Sequence, residues 1–360
     1  MLTATTLKLY HFKNYETYQC SFNKPIVAIC GANGSGKTNL LDAIYYLCFT
    51  KSYFLKQDNL IIKHNEEGMR VEGNFLKDET PFNAVGILRE NNKKEFLVND
   101  EAYKKLSHHI GKLPCVMIAP DDVEIITGTS DERRKFIDAI LSQLNSNYLQ
   151  WLIDYNRILQ QRNSFLKHAS TQTYFDETLL AALDNQLSTK AALIFEERKL
   201  FFQTFTLTVI ELYNAIAGKN ENIALTYESQ LLQNNLQHLL TENKQRDLFL
   251  QRTGFGIHKD DLSITINNQS FKITASQGQR KSLLFALKLA EFETLKKHKG
   301  FSPILLLDDI FEKLDAERMH YLLQKVCVEN NCQVFITDTH KQRLEEHLNN
   351  LKVQFQLIEL

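Results

Sequence analysis

The amino-acid sequence predicts an α/β fold that a long helical insert splits into two parts. An apolar run at residues 25–29 leads into a glycine-rich turn, as a strand followed by a tight loop does. Residues 130–244 carry apolar side chains at helical spacing, whereas residues 1–120 show the period of two that is typical of strands. A second apolar run, residues 304–307, ends in two carboxylates. The two halves of the α/β fold therefore have to close around the insert.

The glycine-rich turn reads "GANGSGKT" and matches the GxxxxGK[ST] pattern of phosphate-binding loops. Its glycines let the backbone turn tightly and aim several N–H groups at one polyphosphate. Lys37 is expected to reach the β- and γ-phosphates, and the hydroxyl of Thr38 to bind Mg²⁺. Apolar residues at helical spacing from Leu40 predict an amphipathic helix, whose positive dipole end points at the same anion. The predicted nucleotide-binding residues here are Gly31, Ala32, Asn33, Gly34, Ser35, Gly36, Lys37 and Thr38.

The second apolar run stands in "SPILLLDDIFEKLD" and predicts a buried strand that ends in a catalytic pair. Asp308 is expected to hold the Mg²⁺ together with Thr38, and Asp309 to orient or deprotonate the attacking water. A strand ending in an acidic turn is common in itself. Its combination with a phosphate-binding loop makes the catalytic interpretation the favoured one.

Composition narrows the class of protein. The 360 residues are 43% hydrophobic and 24% charged, which allows a large core and about two domains. No apolar run approaches the ~20 residues of a membrane span, and the start lacks a secretory pattern, so we expect a cytoplasmic protein without a membrane partner. The six cysteines lack metal-site spacing and are interpreted as reduced core thiols. They are Cys20, Cys30, Cys48, Cys115, Cys327 and Cys332.

The helical insert begins near "SDERRKFID", with Ser130 or Asp131 as its predicted cap, and a second helical pattern covers residues 178–217. Heptads are not sustained, which favours a packed bundle over a coiled coil. Because the net charge is −1, a nucleic acid would have to bind a local basic patch. The candidates are Arg133, Arg134 and Lys135, with Lys104, Lys105, Lys296, Lys297 and Lys299 as rivals. Ion pairs with Asp131 and Asp138 are the alternative for the first three.

The stretch "SQGQRKSLLFALKLAEF" places Ser276, Gly278 and Gln279 at the start of a predicted helix and resembles the signature motif of ABC-type ATPases. The resemblance implies that Ser276 and the helix N-terminus bind the γ-phosphate of a nucleotide held by another subunit, in an ATP-dependent homodimer. "EKLD", residues 312–315, matches the D-loop position. "VFITDTH" ends a strand at the switch position, where either Asp338 or His340 could act.

Four further stretches widen the resemblance to essentially the whole chain: "LYHFKNYE", "PDDVEIITGTSDERRKFID", "GIHKDDL" and "SQGQRKS". Together they resemble the RecF family of bacterial recombination mediators, which are short-armed relatives of SMC-type ATPases. Lys13 stands where the family has arginine, Ser130 and Ile257 where it has proline, and Glu312-Lys313 replace a small-acidic pair.

The resemblance implies an ABC/SMC-type P-loop ATPase head with a mixed sheet, formed by residues 1–120 and 249–360, around an inserted all-helical lobe, residues 121–248. Asp121 and Asp122 stand at the Q-loop position, from which the phosphate state could be relayed into the lobe.

The same resemblance implies that the protein binds ATP and Mg²⁺, dimerises on ATP, and binds double-stranded and gapped DNA. It would help RecR and RecO to load RecA in DNA repair and replication restart, with a weak DNA-stimulated ATPase activity. An ATP-switched DNA scaffold with negligible hydrolysis is the alternative, because Asp309 replaces the usual glutamate. The long insert argues against a transporter ATPase subunit.

Overall fold

The strands and helices are numbered along the chain. The computed structural model describes residues 1–169, 176–312 and 316–360. The strands are β1 (Leu2–Phe12), β2 (Tyr15–Ser21), β3 (Ile26–Cys30), β4 (Met69–Lys77), β5 (Thr80–Leu88), β6 (Lys94–Val98), β7 (Glu101–Ala102), β8 (Cys115–Ile118), β9 (Ile223–Glu228), β10 (Asp261–Ile266), β11 (Gln269–Ser270), β12 (Ile304–Leu307), β13 (Val334–Asp338) and β14 (Phe355–Glu359). The α-helices are α1 (Lys37–Phe49), α2 (Glu124–Thr127), α3 (Ser130–Leu144), α4 (Ser146–Ala169), α5 (Glu177–Ala217), α6 (Leu236–Glu242), α7 (Lys244–Leu250), α8 (Phe271–Thr274), α9 (Gln277–Lys299), α10 (Ala316–Leu323) and α11 (Lys341–Asn350).

Backbone contacts divide the described residues into two compact units. The head comprises Met1–Val123, Ala215–Gly218 and Gln277–Leu360, and the lobe comprises Glu124–Asn214 and Lys219–Ser276. The predicted division assigned residues 249–276 to the head. The structure groups them with the lobe, because β10 pairs there with β9, from Asp261 opposite Glu228 to Ile266 opposite Ile223.

The head contains two sheets, as the predicted mixed architecture requires. One is antiparallel, with strand order β2-β1-β4-β5-β6-β7, and the other has the order β14-β3-β13-β12-β8. All pairings in the second sheet are parallel. Its strands β3, β12 and β13 are buried along their full length, which is why they appear in the sequence as continuous apolar runs.

Helix α1 contacts β4 and β5 of the antiparallel sheet and β8 and β13 of the parallel sheet. Eleven of its 13 residues are buried. The prediction of an amphipathic helix is therefore wrong here. A helix that is covered by a sheet on either side has no face left for polar residues.

The parallel register brings three loops to one edge of the sheet. Asp338, the last residue of β13, lies opposite Cys30, the last residue of β3. Leu307, the last residue of β12, lies opposite Ile336. The segments that follow these three strands therefore emerge together, where ligands bind in open α/β sheets.

The lobe is mainly helical but also contains a three-stranded sheet, in the order β11-β10-β9. The prediction of an all-helical lobe is corrected in this respect. Asn267 and Asn268, at φ of 49° and 61°, form the tight β10–β11 turn that the sequence predicts. Helix α3 is preceded by Thr129 as its N-cap, rather than by Ser130 or Asp131.

Helix α5 is long and apolar enough to cross a membrane by length and composition, the one such helix among the described residues. Inside the structure, 39% of its most apolar window is buried. Asp184 and Arg198, both on α5, are buried and form ion pairs within the lobe. We therefore interpret α5 as a core helix of the lobe.

Two buried arginines order the lobe interior. The guanidinium of Arg162 contacts Asp184 at 2.5 Å and Asp247 at 2.7 Å. Each arginine is thus neutralised by two carboxylates, because Arg198 contacts Asp138 at 2.8 Å and Asp260 at 2.7 Å. Buried charges in this arrangement hold the helices and the small sheet in register.

Candidate nucleotide-binding site

The phosphate-binding loop joins β3 to α1, as the sequence predicts. Gly34 and Gly36 have φ of 84° and 109°, a backbone conformation that side chains rarely adopt. The Lys37 side chain is only 5% exposed, and its amine donates to the carbonyls of Gly31 and Ala32 at 2.9 and 3.1 Å. The amine is therefore held inside the loop, close to the position where a phosphate chain would lie.

The turn between β1 and β2 supports this loop from one side. The Tyr15 hydroxyl donates to the Gly36 carbonyl at 3.1 Å, and the Asn14 amide donates to the Ser35 carbonyl at 3.4 Å. A Cβ atom at position 36 would lie 2.6 Å from the Tyr15 oxygen. Contact with this turn is thus a second reason for a glycine at position 36. Sequence reasoning assigned no such role to Asn14 and Tyr15.

The two predicted metal-binding residues meet although 270 positions separate them. The Thr38 hydroxyl donates to both carboxylate oxygens of Asp308 at 3.0 Å. Thr337, at the end of β13, donates to the same carboxylate at 2.8 Å and accepts the Asp309 N–H at 3.0 Å. Thr337 is a site residue that sequence reasoning missed. Its place near the end of a buried strand, one residue before the proposed switch position, is the signal that could have identified it.

Burial raises the pKa of Asp308, and the hydrogen bonds from Thr337 and Thr38 oppose this shift. A raised pKa means that the ionised carboxylate is short of compensating positive charge where it lies. A cation bound at this point would supply that charge. Hydroxyl and carboxylate oxygens are the ligands that Mg²⁺ prefers, so Thr38 and Asp308 fit the predicted metal.

The loop also fits a phosphate. The Ser35 hydroxyl is buried and makes no hydrogen bond with any described residue. It lies in the loop beside the N-terminus of α1, whose first N–H groups lack helical partners. A buried hydroxyl without a partner normally costs free energy, which a phosphate oxygen would recover.

Asp309 follows Asp308 in a left-handed conformation, with φ of 46°. It is partly buried, and its N–H is bound by Thr337. This bond and the left-handed conformation fix the backbone at Asp309.

The two candidate switch residues have different surroundings. Asp338 is buried and accepts from the Arg343 guanidinium at 2.5 and 2.8 Å and from the His340 N–H at 3.0 Å. Burial alone would raise the pKa of Asp338, but these bonds hold it below the ordinary value. His340 is exposed at the start of α11. The switch role stays a prediction for both.

The signature residues lie at the start of α9. Ser276 is exposed and directly precedes the helix, and Gly278 and Gln279 lie in its first turn. The Arg318 guanidinium lies against Gly278, because a Cβ added there would be 2.7 Å from its Nη1 atom. Arg318 is a further residue that sequence reasoning missed. Lys313, Leu314 and Asp315 of the predicted D-loop lie outside the described residues.

Comparison with known proteins decides the family. The model for the RecF/RecN/SMC N terminal domain matches residues 3–357. The DNA replication and repair protein RecF of Flavobacterium johnsoniae is 42% identical over 354 residues, 98% of this chain and 99% of that protein. The chain belongs to the RecF family. The RecF protein of Parabacteroides distasonis is 41% identical over 342 residues, which cover 95% of this chain and 93% of that protein.

Solved structures agree with this assignment. A RecF-ATP structure described as part of the RecFOR pathway superimposes with a TM-score of 0.88 at 30% identity, covering 94% of this chain and 92% of that one. The Smc head domain of Pyrococcus furiosus, at a TM-score of 0.54 and 17% identity, covers 100% of this chain and 93% of that one and shares the fold alone. An ABC-type ATPase head with a helical region is thus the fold of this RecF-family chain.

Asp122, at the predicted Q-loop position of this RecF-family chain, is one of three linked polar residues in the head. Its carboxylate accepts from the Tyr53 hydroxyl and lies 3.3 Å from the Lys288 amine on α9. The Tyr53 N–H donates to Asp42 of α1 at 2.7 Å, and Lys13 pairs with the same Asp42 at 2.6 Å. Helix α1, the segment at Asp122 and the signature helix are thereby connected through polar contacts. Tyr53 and Lys288 were not foreseen.

The predicted DNA-binding cluster is engaged inside the lobe. The Arg133 guanidinium contacts Asp261 at 2.6 and 2.9 Å, and Arg134 donates to the Asp260 carbonyl at 2.7 Å. Lys135 pairs with Asp131 at 2.6 Å. These contacts favour the ion-pair interpretation over DNA binding, although the main partner is Asp261 rather than Asp138.

The cysteines are free thiols, in agreement with the expectation. Within the part of the chain that the structure describes, no three His, Cys, Asp or Glu residues are grouped as metal ligands.

Proposed function

We propose that this RecF-family protein is a cytoplasmic, ATP-dependent DNA-binding recombination mediator. The observation that carries the proposal is the contact between Thr38 and Asp308 at the mouth of the phosphate-binding loop. ATP belongs to this proposal because a RecF relative has been solved with it at 30% identity over 94% of this chain.

In the proposed complex, the backbone N–H groups of the loop and the Ser35 hydroxyl donate to phosphate oxygens. Lys37 exchanges its two carbonyl contacts for the β- and γ-phosphates and neutralises part of their charge. Thr38 and Asp308 would hold Mg²⁺, which would supply positive charge to the phosphates during hydrolysis.

Asp309 is proposed to orient the attacking water or to accept its proton. Thr337 supports this role because it binds the Asp309 N–H and the Asp308 carboxylate at once. Asp308→Asn is expected to lose Mg²⁺-dependent nucleotide binding. Asp309→Asn is expected to keep ATP and stall turnover. Hydrolysis by Asp309→Asn at the unaltered rate would remove Asp309 from this role.

The signature residues Ser276, Gly278 and Gln279 are proposed to act on ATP held by a second copy of the chain. Ser276 is exposed directly before α9, and the N-terminus of this helix carries the positive end of its dipole. Ser276→Arg should leave ATP binding to the monomer unchanged and block ATP-induced dimers. Sedimentation with a non-hydrolysable ATP analogue measures both states.

The proposed DNA partners are duplex and gapped DNA, and the proposed protein partners are RecR, RecO and RecA. Support comes from relatives named as DNA replication and repair proteins and from the RecFOR pathway in the description of the ATP-bound structure. ATP turnover with and without gapped duplex tests the enzymatic part, and we expect a slow rate that DNA stimulates. The second candidate, an ATP-switched scaffold, is favoured by the short Asp309 side chain and predicts ATP-dependent DNA binding without turnover.

A further inference from the structure

The surface around α7 in the lobe combines an unusually exposed aromatic ring with two arginines. Phe249 is 85% exposed, and its neighbour Leu250 is also exposed, at 37%. Arg246 and Arg252 are both exposed and form no ion pair with any described residue, and the Arg246 guanidinium lies 5.9 Å from the centroid of the Phe255 ring. We call Arg246, Phe249, Leu250 and Arg252 the α7 patch.

The α7 patch rests on a rigid base. Asp247, on the opposite side of α7, is fully buried and accepts from Arg162 at 2.7 Å and from the Gly254 N–H at 2.9 Å. Thr253 donates its N–H and its hydroxyl to Asn163, each at 2.8 Å. Hydrogen bonds and an ion pair thus fix the segment that carries the patch to the lobe interior. Exposure of the Phe249 ring is a property of an ordered surface.

The charge of the patch selects the partner. Between Asn243 and Gly256 the sequence contains one carboxylate, Asp247, and this group is buried against Arg162. Arg246 and Phe249 are three residues apart on α7 and therefore share a face of the helix. Two exposed carboxylates lie beside this stretch, and each has a partner: Glu242 lies 3.2 Å from His238, and Glu177 lies 2.9 Å from Lys244 of α7. A surface with two exposed arginines and a projecting ring fits a polyanion with aromatic groups of its own.

We propose that the α7 patch binds DNA where it is single-stranded, with an unpaired base stacked on Phe249 and the adjacent phosphates on Arg246 and Arg252. Bases stack on exposed aromatic rings irrespective of sequence, and arginines contact the backbone beside them. A fully paired base inside a duplex cannot reach the ring. The patch thus recognises the unpaired part of a gapped duplex. This inference rests on the proposed function and deepens it.

The test uses the full chain with a non-hydrolysable ATP analogue and two DNA probes, a blunt duplex and the same duplex with a single-stranded gap. The first unpaired base is a fluorescent adenine analogue that is quenched by stacking. Phe249→Ala should lower affinity for the gapped probe about tenfold and abolish the quenching, with less than a twofold change for the blunt duplex. Phe249→Trp should restore both signals, because tryptophan also stacks.

Two matched controls accompany this variant. Leu207, on α5, is 66% exposed, so Leu207→Ala removes a comparable apolar surface elsewhere on the lobe. Arg157 is 69% exposed and lies 3.6 Å from Asp154, so Arg157→Gln removes a paired charge. Both should bind like the unaltered protein. The double variant Arg246→Gln/Arg252→Gln should bind the gapped probe more weakly, with little change for the blunt duplex, and reduce the salt dependence of gapped-probe binding by about one phosphate contact per lost arginine.

The outcomes separate the two proposals. If the unaltered protein binds neither probe with the ATP analogue, the proposed function and this inference both fail. If it binds both probes and the patch variants bind equally well, the inference alone is overturned. If Phe249→Leu binds the gapped probe as well as the unaltered protein does, and the base is quenched in neither complex, Phe249 does not stack on a base and the inference is overturned. Thermal unfolding of every variant should match that of the unaltered chain, since none of the changed side chains is buried.

Discussion

The nucleotide site of the head and the interior of the lobe both contain buried charges, but they balance them differently. In the lobe, Arg162 and Arg198 each contact two carboxylates at 2.5–2.8 Å. In the nucleotide site, the buried Lys37 amine donates to two carbonyls, and the Asp308 carboxylate accepts from two hydroxyls.

This difference distinguishes charges that serve the fold from charges that await a ligand. A buried charge that is paired within the free protein contributes to conformational specificity and needs no ligand to balance it. A buried cation and a buried carboxylate that contact neutral groups are stabilised further when a ligand of opposite charge arrives. Removing a paired charge of the lobe should therefore lower the free energy of unfolding. Removing a charge of the nucleotide site should instead lower the affinity for ATP.

The largest expected effect is on the lobe. Arg198→Met would leave the buried Asp260 and the partly buried Asp138 without their cation, and should lower the free energy of unfolding by about 3–5 kcal/mol. Trp151 on α4 is the single tryptophan of the chain and reports lobe unfolding by its fluorescence in urea. Arg157→Met, at an exposed pair, should cost less than about 1 kcal/mol. If Arg198→Met and Arg157→Met lowered the free energy of unfolding equally, the buried pairs would not differ from an exposed pair in their contribution to the fold.

Lys37→Ala should produce the opposite result. ATP affinity should fall by at least about 100-fold, because a phosphate charge loses its buried partner. Unfolding should change little, since Gly31 and Ala32 are accessible enough for water to replace the amine at their carbonyls. Isothermal titration and thermal unfolding measure the two quantities. Lys24→Ala, at a surface contact with Gln354, is the control, and ATP binding retained by Lys37→Ala would refute the phosphate assignment.

Glu291 in the head sharpens the comparison, because it is a buried carboxylate with incomplete compensation. Burial and the nearby Asp122 raise the pKa of Glu291 to about 7, whereas Lys288, at 3.9 Å, opposes the shift. The protonated Glu291 therefore leaves the stability of the fold at its full value below the ordinary pKa of 4.5. As the pH rises through 7 the buried carboxyl ionises, and this stability is lost.

Glu291→Gln should therefore match the unaltered chain near pH 4.5 and become more stable than it by pH 8, by on the order of 1–3 kcal/mol. Circular dichroism of thermal unfolding over this range measures the difference. Burial lowers the pKa values of His109 and His258 to about 4. The fold therefore loses stability as the pH falls from 6.5 through 4, in both the unaltered chain and Glu291→Gln. Both variants retain these histidines, so the difference isolates Glu291. A difference independent of pH would count against the shift.

The smallest expected effect concerns Thr337. Thr337→Val removes one buried hydrogen bond to Asp308 and one to the Asp309 N–H, each of which contributes about 1 kcal/mol. ATP hydrolysis should slow about tenfold and need more Mg²⁺, while ATP affinity stays within a factor of two. Thr339→Val is the control two residues along the chain. A hydrolysis rate unchanged in Thr337→Val would show that Thr337 does not position the carboxylates.

Much of the nucleotide site could be predicted because it depends on short-range features. The glycines of residues 31–38 set a local backbone conformation, and the apolar runs before this loop and before Asp308 are strands buried on both faces. The contact between Thr38 and Asp308, which are 270 positions apart, was predicted because a phosphate-binding loop and an acidic strand end occur in the same chain. The parallel register of β3, β13 and β12 explains it.

The sequence by itself thus determined the phosphate loop, the strand ends with their carboxylates, the helical insert and the RecF-family resemblance. Only the tertiary structure decided that β9 and β10 form a sheet in the lobe and that Arg133 pairs with Asp261, 128 residues away. It also decided that Thr337 joins Asp308 to Asp309. Local patterns record what a segment requires of its own backbone. The partner of a charged or polar side chain is fixed by which distant segments folding brings within hydrogen-bond distance, and no short pattern contains that information.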